Sequence, residues 1–182
     1  MSCWARQYET RMSSIKRSNH ILSLAFILED SWTLLFINGA VARDSRYAAL
    51  GGVARDQEGK WIVGSFHFLG VCSPFEAEVW GILDGIFILL NKGYRQILIL
   101  SDNLEVIQAL SNLDLEDSGI TLFRRIQCIM RAQEKWRIRH IPRHQNLVLD
   151  HLLKFSLNLK SNLHPKEIID LLKVASNNGC IM

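Results

Sequence analysis

The sequence lacks the features that mark membrane-spanning, secreted and zinc-finger proteins. No run approaches the roughly 18 consecutive apolar residues of a membrane span. The longest early apolar stretch, 21–28, is interrupted by Ser23 and is followed by two acids rather than by a small-residue cleavage site. The four cysteines include no pair at the two-residue spacing of zinc sites and redox motifs. We therefore expect a reduced intracellular protein, in the nucleus or the cytoplasm, that does not bind membranes.

Proline and net charge are also scarce. Three prolines, 48% hydrophobic residues and 21% charged residues exclude wholesale disorder. The 182 residues suffice for one domain with a full core and are too few for two domains of ordinary size. The net charge of +3 is too small to require a polyanionic partner by itself. We expect one globular unit with tails, and a monomer.

The two ends of the chain carry no recognisable chemistry. Residues 1–30 show neither clean periodicity nor turn residues and are predicted to form a poorly ordered leader. The basic and serine-rich composition of this leader weakly resembles an organelle transit peptide, so organelle targeting stays open. Residues 161–182 are predicted to form an appendage with a helix from Pro165 to Ala175. The domain itself is expected to span residues 31–160.

Positive charge is concentrated in one segment near the end of this domain, which we call the basic strip. Its members are Arg124, Arg125, Arg131, Lys135, Arg137, Arg139 and Arg143. Only one acid, Glu134, lies among them, and His140 and His144 are close by. A strip of this density can follow the phosphates of a nucleic acid. A solvated surface explains the same charge equally well.

Three strands open the domain. They are predicted at 32–37, 47–55 and 60–68, because aromatic and β-branched runs are separated there by turn residues. The first strand is expected to stop at Asn38-Gly39, and 56–59 supplies the turn before the third. Gly51-Gly52 inside the second strand predicts a bulge or a close backbone approach. These strands should form an antiparallel meander.

The clearest helix signal is Ser73-Pro74-Phe75-Glu76. It combines an N-cap serine, a proline at the first helical position and a glutamate three residues after the cap. Gly93 is expected to end the helix. Its apolar face is predicted to comprise Val79, Trp80, Leu83, Ile86, Phe87 and Leu90, which recur at spacings of three and four. Glu78 is expected beside this face rather than within it.

The central strand is predicted at Gln96–Ser101, where four aliphatic residues run without interruption into Ser101-Asp102. Such a run suits a strand that is buried on both faces. The preceding helix makes a crossover, so this strand should run parallel to an earlier one. Ligands and chemistry gather outside the carboxyl ends of parallel strands. Asp102 is therefore a candidate catalytic or metal-binding acid.

Two helices, a strand and a last helix complete the predicted domain. Apolar periodicity predicts the helices at 104–110 and 120–129, separated by an acidic loop. Residues 136–141 alternate apolar and basic side chains, as a half-buried strand does. A helix from Gln145 to Phe155 should bring Asp150 into its second turn. The expected fold class is α/β, with a five-stranded mixed sheet that has helices on both faces.

Four polar positions stand at the ends of these elements. They are Asn38, Glu78, Asp102 and Asp150. Taken singly, each has a structural explanation, because acids near a helix N-terminus complement its dipole and Asx residues end strands. Taken together with the element order, they suggest a shared site. Further motifs in order are Gly51-Gly52-Val53-Ala54-Arg55-Asp56, Ser73-Pro74-Phe75-Glu76-Ala77-Glu78-Val79-Trp80, Ser101-Asp102-Asn103 and His140-Ile141-Pro142-Arg143 with Asn146.

From Trp32 to Leu159 the chain resembles the ribonuclease H type 1 family, in the plant retroelement-like version associated with non-LTR reverse transcriptases. The resemblance implies an RNase H-like fold and an endonuclease that cuts the RNA strand of an RNA-DNA hybrid. It also implies two Mg²⁺ or Mn²⁺ ions, which require hard oxygen ligands. Other domains of a larger retroelement-derived protein are implied as partners.

The site residues follow from the same resemblance, position by position. Glu78, Asp102 and Asp150 match three metal-binding acids of the family. Arg143 or His144 occupies the loop where relatives place a mobile histidine that assists product release. Asn38 stands where the family has the aspartate that bridges both metals. Since a neutral amide is a weaker ligand than a carboxylate, we expect a large loss of rate.

Recognition of a hybrid does not need the missing aspartate. It depends on phosphate contacts and on 2′-hydroxyl groups displayed in a wide minor groove. Asn38, Ser73 and Asn103 are candidate polar contacts, and the basic strip is a candidate phosphate rail. We do not expect Asp44, beyond the first strand, to replace the lost acid.

Three other interpretations stay open. The first is a nucleic-acid-binding module without turnover. The second is a decayed retroelement fragment without a selected function. A third is a small α/β enzyme that uses Asp102 with His140 or His144 in nucleophilic catalysis. The third is disfavoured, because Ser101 and the cysteines lack the glycine pattern of a nucleophile elbow.

Overall fold

The computed structural model describes residues 32–111, 121–132, 135–159, 168–170 and 172–173. The strands are β1 Thr33–Val41, β2 Tyr47–Arg55, β3 Trp61–Val71, β4 Ile97–Ser101 and β5 Trp136–His140. The helices are α1 Pro74–Asn91, α2 Leu104–Ser111, α3 Thr121–Ala132 and α4 Leu147–Leu159, with a 3₁₀ turn at Arg143–Gln145. The predicted leader and the acidic loop 114–117 lie outside the described residues. Of the helices described, none has the length and hydropathy needed to cross a membrane.

The five strands form one mixed sheet in the order β3-β2-β1-β4-β5. The β1-β2 and β2-β3 pairs are antiparallel, whereas β4 runs parallel to both β1 and β5. The predicted meander and the predicted parallel crossover are therefore both confirmed. Because β1, β4 and β5 run in the same direction, their carboxyl ends lie at one edge of the sheet.

The core has two parts, one on each face of the sheet. Successive residues of a strand point to opposite faces, so Leu34 and Phe36 pack with α4 while Leu35 and Ile37 pack with α1 and α3. All four aliphatic residues of β4 are at most 1% exposed. This confirms that β4 is a central strand covered on both sides.

β1 is longer than predicted. It continues through Asn38 and Gly39 to Val41, and it stays paired with β2 over this extension. The expectation that Asn38 ends the strand is therefore wrong. The extension is possible because Gly39 has no side chain. A Cβ there would lie 2.6 Å from the backbone nitrogen of Glu78, so only glycine lets the strand pass this close to α1.

The N-terminus of α1 is capped as predicted. The Ser73 hydroxyl accepts a hydrogen bond from the backbone N–H of Glu76 at 3.1 Å, and the Glu76 carboxylate accepts one from the backbone N–H of Ser73 at 2.8 Å. At the other end, Gly93 has φ +89°, a left-handed conformation that favours glycine after a helix.

The buried face of α1 differs from the prediction. Trp80 is 44% exposed, whereas Ile82 and Leu89 are completely buried, and Glu78 lies within the buried face. The helix approaches the sheet through Gly81 and Gly85, where a Cβ would meet side chains of β1 within about 3 Å. A pattern of large apolar residues cannot reveal a face that packs through glycine, and this explains the error.

The remaining differences are small. β3 extends three residues past Phe68, and α4 begins at Leu147 after the 3₁₀ turn, so Asp150 lies in its first turn rather than its second. Gly51 approaches the Phe66 ring closely, which confirms the close-approach interpretation of the paired glycines. Residues 168–170 and 172–173 are helical, and Ile168 and Leu172 are buried in the core on the α4 side.

Candidate active site

A cavity of about 460 Å³ lies at the edge of the sheet where β1 and β4 run toward α1, α2 and α4. It is lined by all four polar positions singled out from the sequence: Asn38, Glu78, Asp102 and Asp150. The rest of the lining comprises Gly39, Ala40, Val41, Arg43, Asn103, Leu104, Arg143 and Lys154. The structure thus brings together side chains from four separate elements.

Glu78 is held in the floor of this cavity, only 2% exposed. One carboxylate oxygen accepts a hydrogen bond from the Ser101 hydroxyl, and the other accepts one from the backbone N–H of Gly39. Burial raises the pKa of Glu78 to about 7, since it outweighs these two hydrogen bonds, and the nearby charge of Asp102 adds to the increase. Near neutral pH this carboxyl is therefore partly protonated.

Ser101 orients Glu78 through a chain of hydrogen bonds. Its Oγ accepts a hydrogen bond from the backbone N–H of Asn103 at 3.0 Å, so its single proton is directed to Glu78. Asn103 in turn accepts a hydrogen bond from the backbone N–H of Val106 at 3.2 Å. Sequence reasoning placed Ser101 in the Ser101-Asp102-Asn103 motif and considered it as a nucleophile, but gave it no structural role. The signal that could have revealed its structural role is a hydroxyl at the end of a strand buried on both faces.

Replacing Gly39 with alanine is expected to lower the free energy of unfolding by roughly 1–3 kcal/mol. The added Cβ would meet backbone atoms of α1, which cannot move aside without displacing Glu78. The measurement is urea unfolding of both proteins. Gly52→Ala is the matched control, because the nearest atom to its Cβ would be the terminal Cδ1 of the Ile37 side chain, at 3.1 Å. Equal losses in the two variants would contradict this account.

Asp102 follows β4 and is fixed by Asn146. The Asn146 side-chain Nδ2 donates to Asp102 Oδ1 at 2.9 Å and to the backbone oxygen of Ile37 at 2.8 Å. Asn146 belongs to the motif on which the family resemblance depends, but the sequence did not single it out as a site residue. Its two partners are far away along the chain, and no local pattern reports them.

Asp150 is paired with two cations. Its Oδ2 lies 2.5 Å from Lys154 Nζ, one turn further along α4, and its Oδ1 lies 3.7 Å from Arg143 Nη2. Arg43 is the third cation in the cavity lining. The lining thus holds three acids and three basic side chains, so its formal charge is zero when all three acids are ionised and becomes positive as Glu78 is protonated.

Ser73, His144 and Asp44 lie outside the cavity lining. The Ser73 hydroxyl is bonded within the cap of α1, and His144 is exposed on the 3₁₀ turn. Asp44 is exposed in the loop between β1 and β2. Asn103 and Arg143 do line the cavity.

The basic strip is divided between the two faces of the sheet. The Arg125 guanidinium lies 5.1 Å from the Phe87 ring of α1, on the face covered by α1 and α3. The Arg137 guanidinium lies 4.9 Å from the Trp32 ring, which belongs to the core on the α4 face. A nucleic acid strand that contacts all of these residues would therefore have to pass around the β5 edge of the sheet.

The donor set of the cavity limits the metals it can hold. Within the described ranges, no three His, Cys, Asp or Glu side chains are grouped closely enough to form a metal site. Mg²⁺ is commonly bound by one or two carboxylates together with water. Glu78 and Asp102 fit that requirement for one ion. A second ion would have to compete with Lys154 for Asp150, next to the neutral amide of Asn38.

The sheet order and the acid-lined cavity at the ends of β1 and β4 define an RNase H-like domain. A profile of the reverse transcriptase-like family matches residues 36–156, and the chain belongs to this family. An Arabidopsis thaliana protein named "Putative ribonuclease H protein" is 28% identical over 140 residues, which are 76% of this chain. The match covers 22% of that relative, so the chain spans about a fifth of its length.

Solved structures share the fold. RNase H1 from Halobacterium salinarum is similar with a TM-score of 0.59 at 21% identity, over 70% of this chain and 98% of that one. LC11-RNase H1 in complex with an RNA/DNA hybrid has a TM-score of 0.59 at 18% identity, over 67% and 94% of the two chains. At these identities the similarity establishes the RNase H-like fold, as the family resemblance implied.

Proposed function

We propose that this domain binds RNA-DNA hybrids and hydrolyses the RNA strand slowly, because Asn38 replaces an acidic metal ligand. The observation that carries the proposal is the convergence of Asn38, Glu78, Asp102 and Asp150 on one cavity. The match to LC11-RNase H1, whose structure contains a hybrid, supports the choice of ligand. The neutral amide at the first position supports the reduced rate.

Glu78 and Asp102 would hold one Mg²⁺ or Mn²⁺ ion. When bound, such an ion activates water as a nucleophile and stabilises the leaving oxygen of the phosphodiester. Residues of the chain orient the two carboxylates that would hold the ion. Ser101 and Gly39 hold the Glu78 carboxylate, and Asn146 holds the Asp102 carboxylate. A second ion would lack the bridging carboxylate that the family has at position 38.

The basic side chains of the cavity would contact the phosphates of the hybrid. Arg43, Arg143 and Lys154 line the cavity, and the Arg143 side chain is 70% exposed. Arginine binds phosphate through two parallel hydrogen bonds. Asn38 and Asn103 would offer polar contacts to the sugar hydroxyls.

Affinity for a fluorescently labelled hybrid is expected to fall linearly with salt on logarithmic axes. Arg143→Ala should weaken binding and reduce the slope by roughly one, because one phosphate contact is lost. The measurement is fluorescence anisotropy between 50 and 200 mM salt, over which three phosphate contacts should cost roughly 40-fold in affinity. Arg95→Ala, an exposed change outside the cavity lining, is the control. Affinity that does not depend on salt would remove phosphate contacts from the proposal.

A binding module without turnover is the second candidate. It is favoured by the charge balance of the cavity, in which Lys154 and Arg143 already neutralise Asp150. Cleavage of a labelled hybrid in Mg²⁺ by the native chain and by Asp102→Asn separates the two functions. Faster cleavage by the native chain supports the ribonuclease. Equal, background cleavage by both proteins, with binding retained, supports the module.

A further inference from the structure

Asn146 lies where four elements of the site meet. It follows the 3₁₀ turn, and its side chain is directed at β1 and at the residue after β4, with only 2% of its surface exposed. Its backbone oxygen accepts a hydrogen bond from the backbone N–H of Asp150 at 3.0 Å, at the start of α4. One residue therefore contacts the Ile37-Asn38 segment, Asp102 and Asp150.

The chemistry of the contacts fixes the orientation of the amide. Both partners of Nδ2, the Ile37 carbonyl and the Asp102 carboxylate, are acceptors, so only the NH₂ group can face them. Its two hydrogens are then both used. A carboxylate at this position would place acceptor against acceptor, and a hydroxyl has one proton for two partners. Among side chains of this size, only a carboxamide supplies both donors.

The other end of the amide is left without a partner. Among the described residues, no donor reaches the buried Oδ1 of Asn146. Leaving a buried acceptor unpaired is unfavourable, and such groups are rare in folded proteins. A contact that served only packing could be made by an apolar side chain without this penalty. We therefore expect the two hydrogen bonds donated by Nδ2 to have a role beyond packing.

We propose that Asn146 is a positioning residue, which holds the Asp102 carboxylate in one rotamer at a fixed distance from β1 and thus from position 38. The inference rests on the proposed function and assigns it a further residue. Because Nδ2 donates to Asp102 Oδ1, it favours one orientation of the carboxylate, in which Oδ2 is the oxygen that remains for a divalent cation. Outer contacts of this kind tune the affinity of carboxylates for metals.

The first test examines Asp102 without metal. In the full chain, NMR coupling constants across the Cα–Cβ bond of Asp102 should report one rotamer in the native protein and an average in Asn146→Ala. A single rotamer in the variant would overturn the proposal. The amide-to-acid change at an exposed asparagine, Asn91→Asp, and Asn91→Ala are the controls and should leave Asp102 unchanged.

The second test measures Mn²⁺ affinity by titration, with the fraction of folded protein determined in parallel. Asn146→Ala should bind Mn²⁺ roughly 10-fold to 100-fold more weakly per folded molecule, with the hybrid affinity nearly unchanged. Unchanged Mn²⁺ affinity together with lower stability would show a structural role and reject the proposal. A third outcome separates the two proposals. If the native chain binds no Mn²⁺ but Asn146→Ala still averages the Asp102 rotamers, the positioning role of Asn146 is supported and the proposed metal-dependent hydrolysis is rejected.

A third variant covers the case in which Asn146→Ala does not fold. Asn146→Asp with Asp102→Asn exchanges the donor and the acceptor, so the amide at 102 can bond to the acid at 146. We expect Asp102→Asn to stabilise the Asn146→Asp chain more than it stabilises the native chain, because only in Asn146→Asp does it separate two adjacent carboxylates. Equal effects of Asp102→Asn in the two backgrounds would show that positions 102 and 146 do not interact, against the proposal.

Discussion

Asn38→Asp is expected to increase Mg²⁺-dependent cleavage of the RNA strand of a hybrid by more than about 100-fold. Outer contacts of a metal site are typically worth about 10-fold to 100-fold, and a direct carboxylate ligand is worth more. Position 38 lines the same cavity as Glu78, Asp102 and Asp150. The new carboxylate would restore the negative charge that two dications require. The measurement is the initial rate of cleavage of a labelled hybrid at saturating Mg²⁺.

Two controls separate this effect from a general gain of charge. Asn91→Asp adds one acid to an exposed helix end and should leave the rate unchanged. Asp102→Asn combined with Asn38→Asp should abolish the gain, since Asp102 is the residue that we propose to hold the ion. If Asn38→Asp cleaves no faster than Asp102→Asn, the missing acid at position 38 does not account for the reduced rate that we propose.

Glu78→Gln is expected to remove most of the pH dependence of stability between about pH 4.5 and pH 7 in metal-free protein. Burial raises the pKa of Glu78 from 4.5 to about 7, so in this range the folded state retains a proton that the unfolded state releases. As pH rises above 4.5, ionisation of Glu78 stabilises the unfolded state but not yet the folded state. The free energy of unfolding therefore falls as pH rises toward 7. A shift of this size corresponds to about 3 kcal/mol in the free energy of unfolding.

Urea unfolding in the presence of EDTA, at several values between pH 4.5 and pH 8, measures this difference. The native protein should lose stability across the range, and Glu78→Gln should lose much less. Glu58→Gln, a matched change at an exposed turn, should follow the native curve. Parallel curves for the native protein and Glu78→Gln would show that this buried carboxyl does not titrate in the stated range.

Much of the fold could be predicted because its signals are local. The capping sequence Ser73-Pro74-Phe75-Glu76 placed the start of α1, since each of its bonds joins residues at most four apart. β2 was predicted with its observed bounds. The uninterrupted aliphatic run of β4 predicted a strand covered on both faces, because only such a strand can hide consecutive apolar side chains.

The errors arose where glycine decides the packing. Trp80 has the size and spacing of a core residue, but α1 approaches β1 through Gly81 and Gly85 and leaves Trp80 at the surface. Glu78 was placed beside the buried face for the same reason. Periodicity weighs the side chains that are present, whereas close approach of two backbones depends on a side chain that is absent.

The sequence by itself determined the order of the elements, the sheet type and the four polar positions of the site, because short-range periodicity, caps and motif order encode them. Only the tertiary structure decided how the acids are held. Asn146 meets the Ile37 carbonyl across 109 residues of chain, and Glu78 meets the Gly39 N–H across 39. Such contacts depend on how closely the elements pack, and packing is a property of the whole domain that no single stretch of sequence carries.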